Sequence, residues 1–286
     1  MKRVAVLGGT GMAGNAAVTY LEEQGYDVFF MALDAPDSNK SKAIDATDIK
    51  ALTDWLDMIR PDVIFNCLGV LQKASDTRPD IAILLNTYLP HYLAQKYNGT
   101  KTKVIHLSTD CVFSGANGGY TEKDFCDGKT MYDRTKALGE IVNDKDLTFR
   151  MSIIGPDRNV NGIGLFNWFM SQSGVINGYI NAIWTGVTTI ELARAVDAAI
   201  KQDLTGLYHL VPDKSINKYN LLLLFKETFN RTDIEIDPDD GVITDKTLIN
   251  TRTDFDFKVK SYAEQIKDMY EWVEKHSSLY EHYYKR

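Results

Sequence analysis

Tyr132 and Lys136, in the stretch Met131-Tyr132-Asp133-Arg134-Thr135-Lys136, stand four residues apart. On a helix that spacing puts both side chains on one face. A free phenol is a poor acid near neutral pH, with a pKa of about 10. An ammonium beside it favours the phenolate and so lowers that pKa, which makes the phenol a proton donor. The pair could protonate an oxygen that is becoming an alkoxide while hydride arrives at the carbon. Spacing alone decides nothing, because Tyr92 with Lys96 and Tyr97 with Lys101 repeat it. The elements around Tyr132 set it apart.

The buried strand pattern Val104-Ile105-His106-Leu107 runs into Ser108-Thr109-Asp110-Cys111-Val112-Phe113. Ligands of open α/β sheets bind beyond the carboxyl ends of the strands, where the Thr109 hydroxyl can meet a substrate carbonyl. The loop Ser114 to Lys129 then leads back into the Tyr132 helix, for which Leu138, Ile141 and Val142 suggest an apolar face. His106, between Ile and Leu on its strand, reads as structural.

The chain opens on a strand pattern, Val4 to Leu7, followed by Gly8-Gly9-Thr10-Gly11-Met12-Ala13-Gly14 and a helix pattern carrying Ala17 and Leu21. Strand, glycine turn and helix form a phosphate cradle, with the glycines admitting a pyrophosphate to the helix N-terminus. A second strand spans Asp27 to Leu33. An acidic residue at its end would select NAD and a basic one NADP. Asp34 follows it, and Lys40 and Lys42 lie further on, so the choice between NADH and NADPH stays open. Ala43 to Asp48 reads either as a short third strand or as an N-cap for a helix over Ile49 to Ile59. Val63 to Gly69 is a fourth strand, broken from that helix by Arg60-Pro61-Asp62. Arg150 to Gly155 is a sixth strand, Thr188 to Lys201 an amphipathic helix and Gly206 to Val211 a further strand. Tyr219 to Phe229 and Tyr262 to His276 are later amphipathic helices.

The Gly-x-x-Gly-x-x-Gly turn resembles that of the extended short-chain dehydrogenase/reductase superfamily. Ser108-Thr109-Asp110-Cys111-Val112-Phe113-Ser114-Gly115, with Tyr132-Asp133-Arg134-Thr135-Lys136-Ala137-Leu138-Gly139-Glu140, resembles the dTDP-4-dehydrorhamnose reductase group, which reduces nucleotide-linked 4-keto sugars. The resemblance implies an α/β fold: a Rossmann-type doubly wound parallel sheet with a smaller, mostly C-terminal substrate lobe. Residues 1–155 and 186–211 would form the NAD(P)-binding domain. Residues 156–185 and 212–286 would form the sugar-nucleotide lobe, with Phe166, Trp168, Phe169 and Trp184 as its aromatic residues.

The same resemblance implies three catalytic residues. Thr109 would polarise the C4 carbonyl, Tyr132 would protonate it, and Lys136 would bind the nicotinamide ribose and tune Tyr132. NADPH or NADH would lie along Gly8, Thr10, Gly11, Met12 and Gly14, then Asp34, Asp45 and Ala46. Beyond these it would meet Asn66, Cys67, Leu68 and Gly69, and finally Ser108, Ile153, Tyr132 and Lys136. The nucleotide-diphosphate sugar would meet Val70, Asn86, Thr109, Asp110, Cys111, Val112, Trp184 and Lys246. Two duties fit Asn86: steadying the active-site ribose, or satisfying backbone. Lys246 and Arg252 precede the last helix, where relatives bring cations to the diphosphate; solvated surface charge fits both equally. The dehydrorhamnose reductases usually carry Tyr at the position of Cys111, which points to a different sugar.

Three other functions share parts of this pattern. A dehydratase would need a Glu where Cys111 stands. A 3,5-epimerase/reductase like GDP-fucose synthase places a catalytic Cys two residues after its active-site Ser, as Cys111 stands after Thr109, but no histidine lies between His106 and His209 to partner it. A regulatory NAD(P)-binding subunit, as in methionine adenosyltransferase, would not need Thr109, Tyr132 and Lys136.

A net charge of −7 argues against a nucleic-acid partner. Three cysteines without paired-ligand spacing suggest a reducing compartment and no metal site. No apolar run approaches the roughly 20 residues of a membrane span, and the strand pattern starts at once without a signal peptide. The expectation is a cytoplasmic enzyme, monomer or homodimer, independent of membranes.

Overall fold

Alternation along the first strand decides the layering. In β1 (Arg3–Leu7) Val4 and Val6 face one side of the sheet, and Ala5 and Leu7 the other. All four are fully buried, so both faces are covered and the strand belongs in the middle of a parallel sheet. The computed structural model, which describes residues 1–284, places it there. β2 (Asp27–Ala32) and β3 (Ser41–Ala43) lie on one side of it, and β4 (Val63–Asn66), β5 (Lys103–Leu107) and β6 (Leu147–Arg150) on the other. The strand Gly206–His209 completes the seven beyond β6, and every pair is parallel. The order reverses between β1 and β4, the switch point at which such sheets bind ligands.

Helices Met12–Glu23 and Thr189–Gln202 pack on one face through Ala17, Leu21, Leu192 and Val196. Ile49–Ile59 and Leu89–Lys96 cover the other through Leu52, Leu56, Leu89 and Leu93. Asp48 caps the Ile49 helix by accepting from Ala51 N, and the short third strand also forms but ends at Ala43. Both readings of Ala43 to Asp48 thus hold in part.

The rest of the chain builds a second, smaller body. Helices Leu165–Ser171, Lys218–Thr228 and Tyr262–Lys275 enclose Phe166, Phe169, Phe225, Ile266 and Met269, beside strands 174–179 and 234–239. Phe166 and Phe169 are fully buried, so these two aromatics are core residues. An extended segment then returns along the large sheet. In it Arg252 donates to Thr205 O and Leu207 O, at 2.6 and 2.9 Å, and pairs with Asp254. It is therefore a structural clamp on the edge strand, and not a free cation for a diphosphate.

Two boundaries differ from expectation. The sixth strand begins at Leu147, with Ile153–Ile154 as a separate two-residue strand paired to Val187–Thr188. The Tyr132 helix stops at Leu138, before Gly139, a position where any Cβ would sit 1.8 Å from Asn86 O. Leu138 and Val142 are consequently exposed, and Ile141 is buried beyond the helix end.

One buried ion pair joins these parts. Arg150, 1% exposed, donates to both oxygens of Glu140, at 2.8 and 2.5 Å, and to His209 Nε2 at 2.9 Å. The Ser108 hydroxyl donates to the same carboxylate at 2.6 Å. Arg150→Met would leave Glu140 buried and unpaired. The expected loss is about 3–5 kcal/mol in urea-induced unfolding, and a loss under about 1 kcal/mol would show that water reaches the carboxylate.

Candidate active site

The Tyr132 helix (Met131–Leu138) starts where its capping box puts it: Thr130 accepts from Asp133 N, and Asp133 accepts from Thr130 N. Gly128 lets this start press against the 3-10 turn Asp110–Val112. A Cβ there would lie 2.5 Å from Asp133 Cβ and 2.7 Å from Cys111 O. Thr109, at the end of β5, caps that turn by accepting from Cys111 N and donates to Asp110 Oδ1, both at 3.1 Å. Two short, tightly seated elements thereby bring Thr109, Cys111 and Tyr132 together. Thr109 lies close enough to the Tyr132 phenol to favour its ionised form.

Lys136 is buried and donates to Leu107 O at 2.5 Å. Its charge acts on Cys67 and on His106, so it reaches the ends of β4 and β5. Burial brings its pKa down to about 8, against an opposing pull from Glu140. The acidifying effect expected of Lys136 on Tyr132 is not found: the influences on the phenol are burial, Cys111, Thr109, Asp110 and Asp133. Burial, then Cys111, raises the phenol above its ordinary value, and Thr109 offsets this only in part. Tyr132 is a protonated donor held out of water. Burial and then Lys136 keep the His106 imidazole neutral; its Nδ1 meets Asn66 Nδ2 at 3.1 Å.

At the glycine turn, Gly8 takes φ +84° and Gly8 N donates to Met31 O at 2.8 Å. A Cβ on Gly14 would fall 2.1 Å from Gly8 O, so packing of the turn on the Met12–Glu23 helix requires that glycine. Gly11 is different. Its φ of −71° suits any residue, and a Cβ would meet only Gly8 O at an ordinary 3.5 Å. Nothing in the fold fills the space in front of it, at the N-terminus of that helix. A pyrophosphate fits this cradle. Thr10 donates to Asp34 at 2.5 Å, which joins the turn to the end of β2. Met12 is the first residue of the helix, and its sulfur neighbours Gly164 of the second body. Leu68 packs against Gly8, Gly69 and Val70 follow it, and Leu68 N donates to Asn66. Asp45 is exposed and accepts from Thr47, with Ala46 buried beside it. Ile153 is half-buried on its two-residue strand.

Three side chains do other work than expected, and Asn86 takes one of the two duties that fit it. The Ser108 hydroxyl is committed to Glu140 and faces inward. Asn86, on the π-helical turn Ile83–Tyr88, accepts from Val70 N and donates to Val70 O and to the Thr135 hydroxyl; it satisfies backbone and braces the Tyr132 helix. Val112 is wholly buried with Phe113, Tyr120 and Leu248, so its side chain meets no ligand. Trp184 is 4% exposed, and the Lys218 ammonium lies 4.4 Å over its ring. Lys218 is the residue the sequence reading missed. It belongs to no motif, and only the fold brings it to Asp110 and Cys111. Lys246 stands near the same two residues, close to Gly115. Cys111 is half-buried, and burial followed by Asp110 pushes its thiol up to about 11. Among the described residues no helix is long and apolar enough to cross a membrane.

The chain is similar to known proteins. The dTDP-4-dehydrorhamnose reductase of Salmonella typhimurium is 31% identical over 180 residues, which cover 58% of this chain and 60% of that protein, under two thirds of its length. Methionine adenosyltransferase 2 subunit beta of Xenopus tropicalis is 24% identical over 267 residues, 86% of this chain and 77% of that protein. The fold is that of the dTDP-4-dehydrorhamnose reductase from Bacillus anthracis, solved in complex with NADP: TM-score 0.79, 19% identity, 95% of this chain and 99% of that one. The RmlD substrate binding domain model matches residues 1–240, and the chain belongs to that family.

Proposed function

We propose that this chain is an NAD(P)H-dependent reductase of the C4 keto group of a nucleotide-linked 4-keto-6-deoxy sugar, serving cytoplasmic deoxysugar synthesis for a surface polysaccharide. The observation that carries the proposal is the packing of the turn capped by Thr109 against the start of the Tyr132 helix at the carboxyl end of the sheet, with the Lys136 ammonium buried against Leu107 O. Residues 1–155 and 186–211 would hold the cofactor, and 156–185 with 212–286 the sugar nucleotide. Gly8, Gly11, Gly14, Asp34 and Lys136 would hold a nicotinamide nucleotide, which when bound supplies the hydride.

The chain's own residues supply the rest. Thr109 turns its single hydroxyl proton from Asp110 to the C4 oxygen and fixes its direction. As C4 takes up the hydride, Tyr132 gives its proton to that oxygen and the carbonyl becomes an alcohol. A raised phenol pKa does not hinder this, because the forming alkoxide is the stronger base. Lys136 keeps a positive charge under the site and favours negative charge developing at the phenol. Burial of these groups strengthens each interaction by excluding water.

A second reading, a regulatory NAD(P)-binding subunit, is favoured by the length of the match to the Xenopus tropicalis protein. Oxidation of NAD(P)H by a 4-keto sugar nucleotide would reject it. The 3,5-epimerase reading needs a thiolate at Cys111, and burial with Asp110 opposes that charge. Solvent deuterium at C3 or C5 of the product would restore it.

Gly11→Asp should fold normally and lose NAD(P)H binding, since the carboxylate would meet the pyrophosphate in otherwise open space; unchanged affinity by calorimetry would sink the cradle. Tyr132→Phe should keep cofactor binding while turnover drops roughly two to four orders of magnitude. Thr109→Val should slow hydride transfer with little change in cofactor affinity. Tyr92→Phe and Tyr97→Phe should behave as wild type in the same assay, and near-normal reduction by Tyr132→Phe would end the proposal. The Lys136 ammonium is present below its pKa and lost above it, so kcat/KM should decline as pH rises through about 8. A profile flat to pH 10 would show that the charge is not needed.

A further inference from the structure

Lys218 opens the helix Lys218–Thr228, directly after its N-cap Asn217. Its ammonium rests 4.4 Å from the centroid of the buried Trp184 ring, a cation–π contact that fixes where the charge sits. Asp110 and Cys111, the two residues after Thr109, act on that charge. On its other side Lys218 lines a groove of about 1110 Å3 in the second body, with Ile163, Trp168, Tyr179 and Leu222. Lys218 therefore stands where this groove meets the catalytic turn.

An ammonium has three donors and no acceptor. Among the described residues that of Lys218 makes no hydrogen bond and no ion pair; its recorded partner is the Trp184 ring. Asp110 cannot serve it fully, because Asp110 is itself buried and one of its oxygens accepts from Thr109. Lys218 is half-buried at the edge of the groove, so the unfilled donors of its ammonium are open to take an anionic oxygen there. Lys246 also acts on Asp110 and Cys111, which adds a second positive charge at the same place.

We propose that Lys218 is a substrate-recognition residue that binds an anionic oxygen of the sugar nucleotide at the junction of the groove and the catalytic turn. The inference rests on reading this cleft as a sugar-nucleotide site. Two oxygens have the required chemistry, one on the diphosphate and one on an acidic substituent of the sugar. Trp184 is then a positioning residue, which reaches the substrate through Lys218 and not by stacking on it.

The test is calorimetry on the full chain, comparing wild type, Lys218→Met and Lys218→Arg. The ligands are NADPH, dTDP, UDP, UDP-glucose and UDP-glucuronate. Met keeps the hydrocarbon stem over Trp184 and removes the charge. NADPH affinity should be equal in all three proteins, which also reports that the fold is kept. Lys218→Met should bind at least one of the other ligands roughly ten- to hundredfold more weakly, and Lys218→Arg should recover most of that loss. A loss already present with dTDP or UDP assigns the diphosphate. A loss seen with UDP-glucuronate but not with UDP-glucose assigns an acidic substituent. Equal affinities of wild type and Lys218→Met for every ligand that wild type binds would overturn the proposal. No turnover is needed for this measurement. A protein that shows the expected losses yet reduces no 4-keto sugar would refute the reductase reading and leave Lys218 in place.

Discussion

The contact between Glu140 and Arg150 governs the geometry of everything around it. Glu140 follows the Tyr132 helix and Arg150 ends β6. Ser108, which precedes Thr109, donates to the same carboxylate. His209, on the edge strand, accepts from Arg150 and contacts Ile249 O through its other ring nitrogen. Four segments distant in sequence are thus tied to one pair of opposite charges. An apolar pair of similar volume could fill the space about as well. It could not hold the Ser108 hydroxyl, and the offset between Thr109 and Tyr132 would then depend on packing alone.

Burial in this site works against the acidifying effect expected of a neighbouring charge. The phenol of Tyr132 is kept protonated, the imidazole of His106 neutral and the thiol of Cys111 undissociated, each chiefly by desolvation. Lys136 is the exception, a charge retained inside because Leu107 O and Glu140 favour it. The result is a pocket whose phenol, imidazole and thiol are uncharged, with the Lys136 ammonium fixed at Leu107 O, suited to an oxygen that gains and then loses negative charge.

Much of this was legible because its signals are local. The glycine turn, the strands from Val4, Val63 and Val104, and the Tyr132 to Lys136 spacing each lie within a few residues, and each forms where it was read. What was not legible depends on contacts between distant segments. The close approach of Asn86 O to Gly139 is one such contact, though the glycine after Leu138 is itself a local stop signal for the Tyr132 helix. Trp184 drew notice as an aromatic residue, yet whether a ring meets a ligand or a lysine is settled by what packs on it. Lys218 and Arg252 look alike in sequence. One is left without a hydrogen bond beside the catalytic turn, and the other is consumed by Thr205 O and Leu207 O.

That clamp bears on how the protein behaves among copies of itself. An edge strand with free carbonyls invites another chain to add to the sheet. Here the guanidinium of Arg252 occupies the carbonyls of Thr205, just before the strand Gly206–His209, and of Leu207 within it. The opposite edge is β3, three residues long, with Lys42 inside it and Lys40 just before it. One border is capped and the other is short and charged, two features that disfavour strand addition at the sides of a parallel sheet.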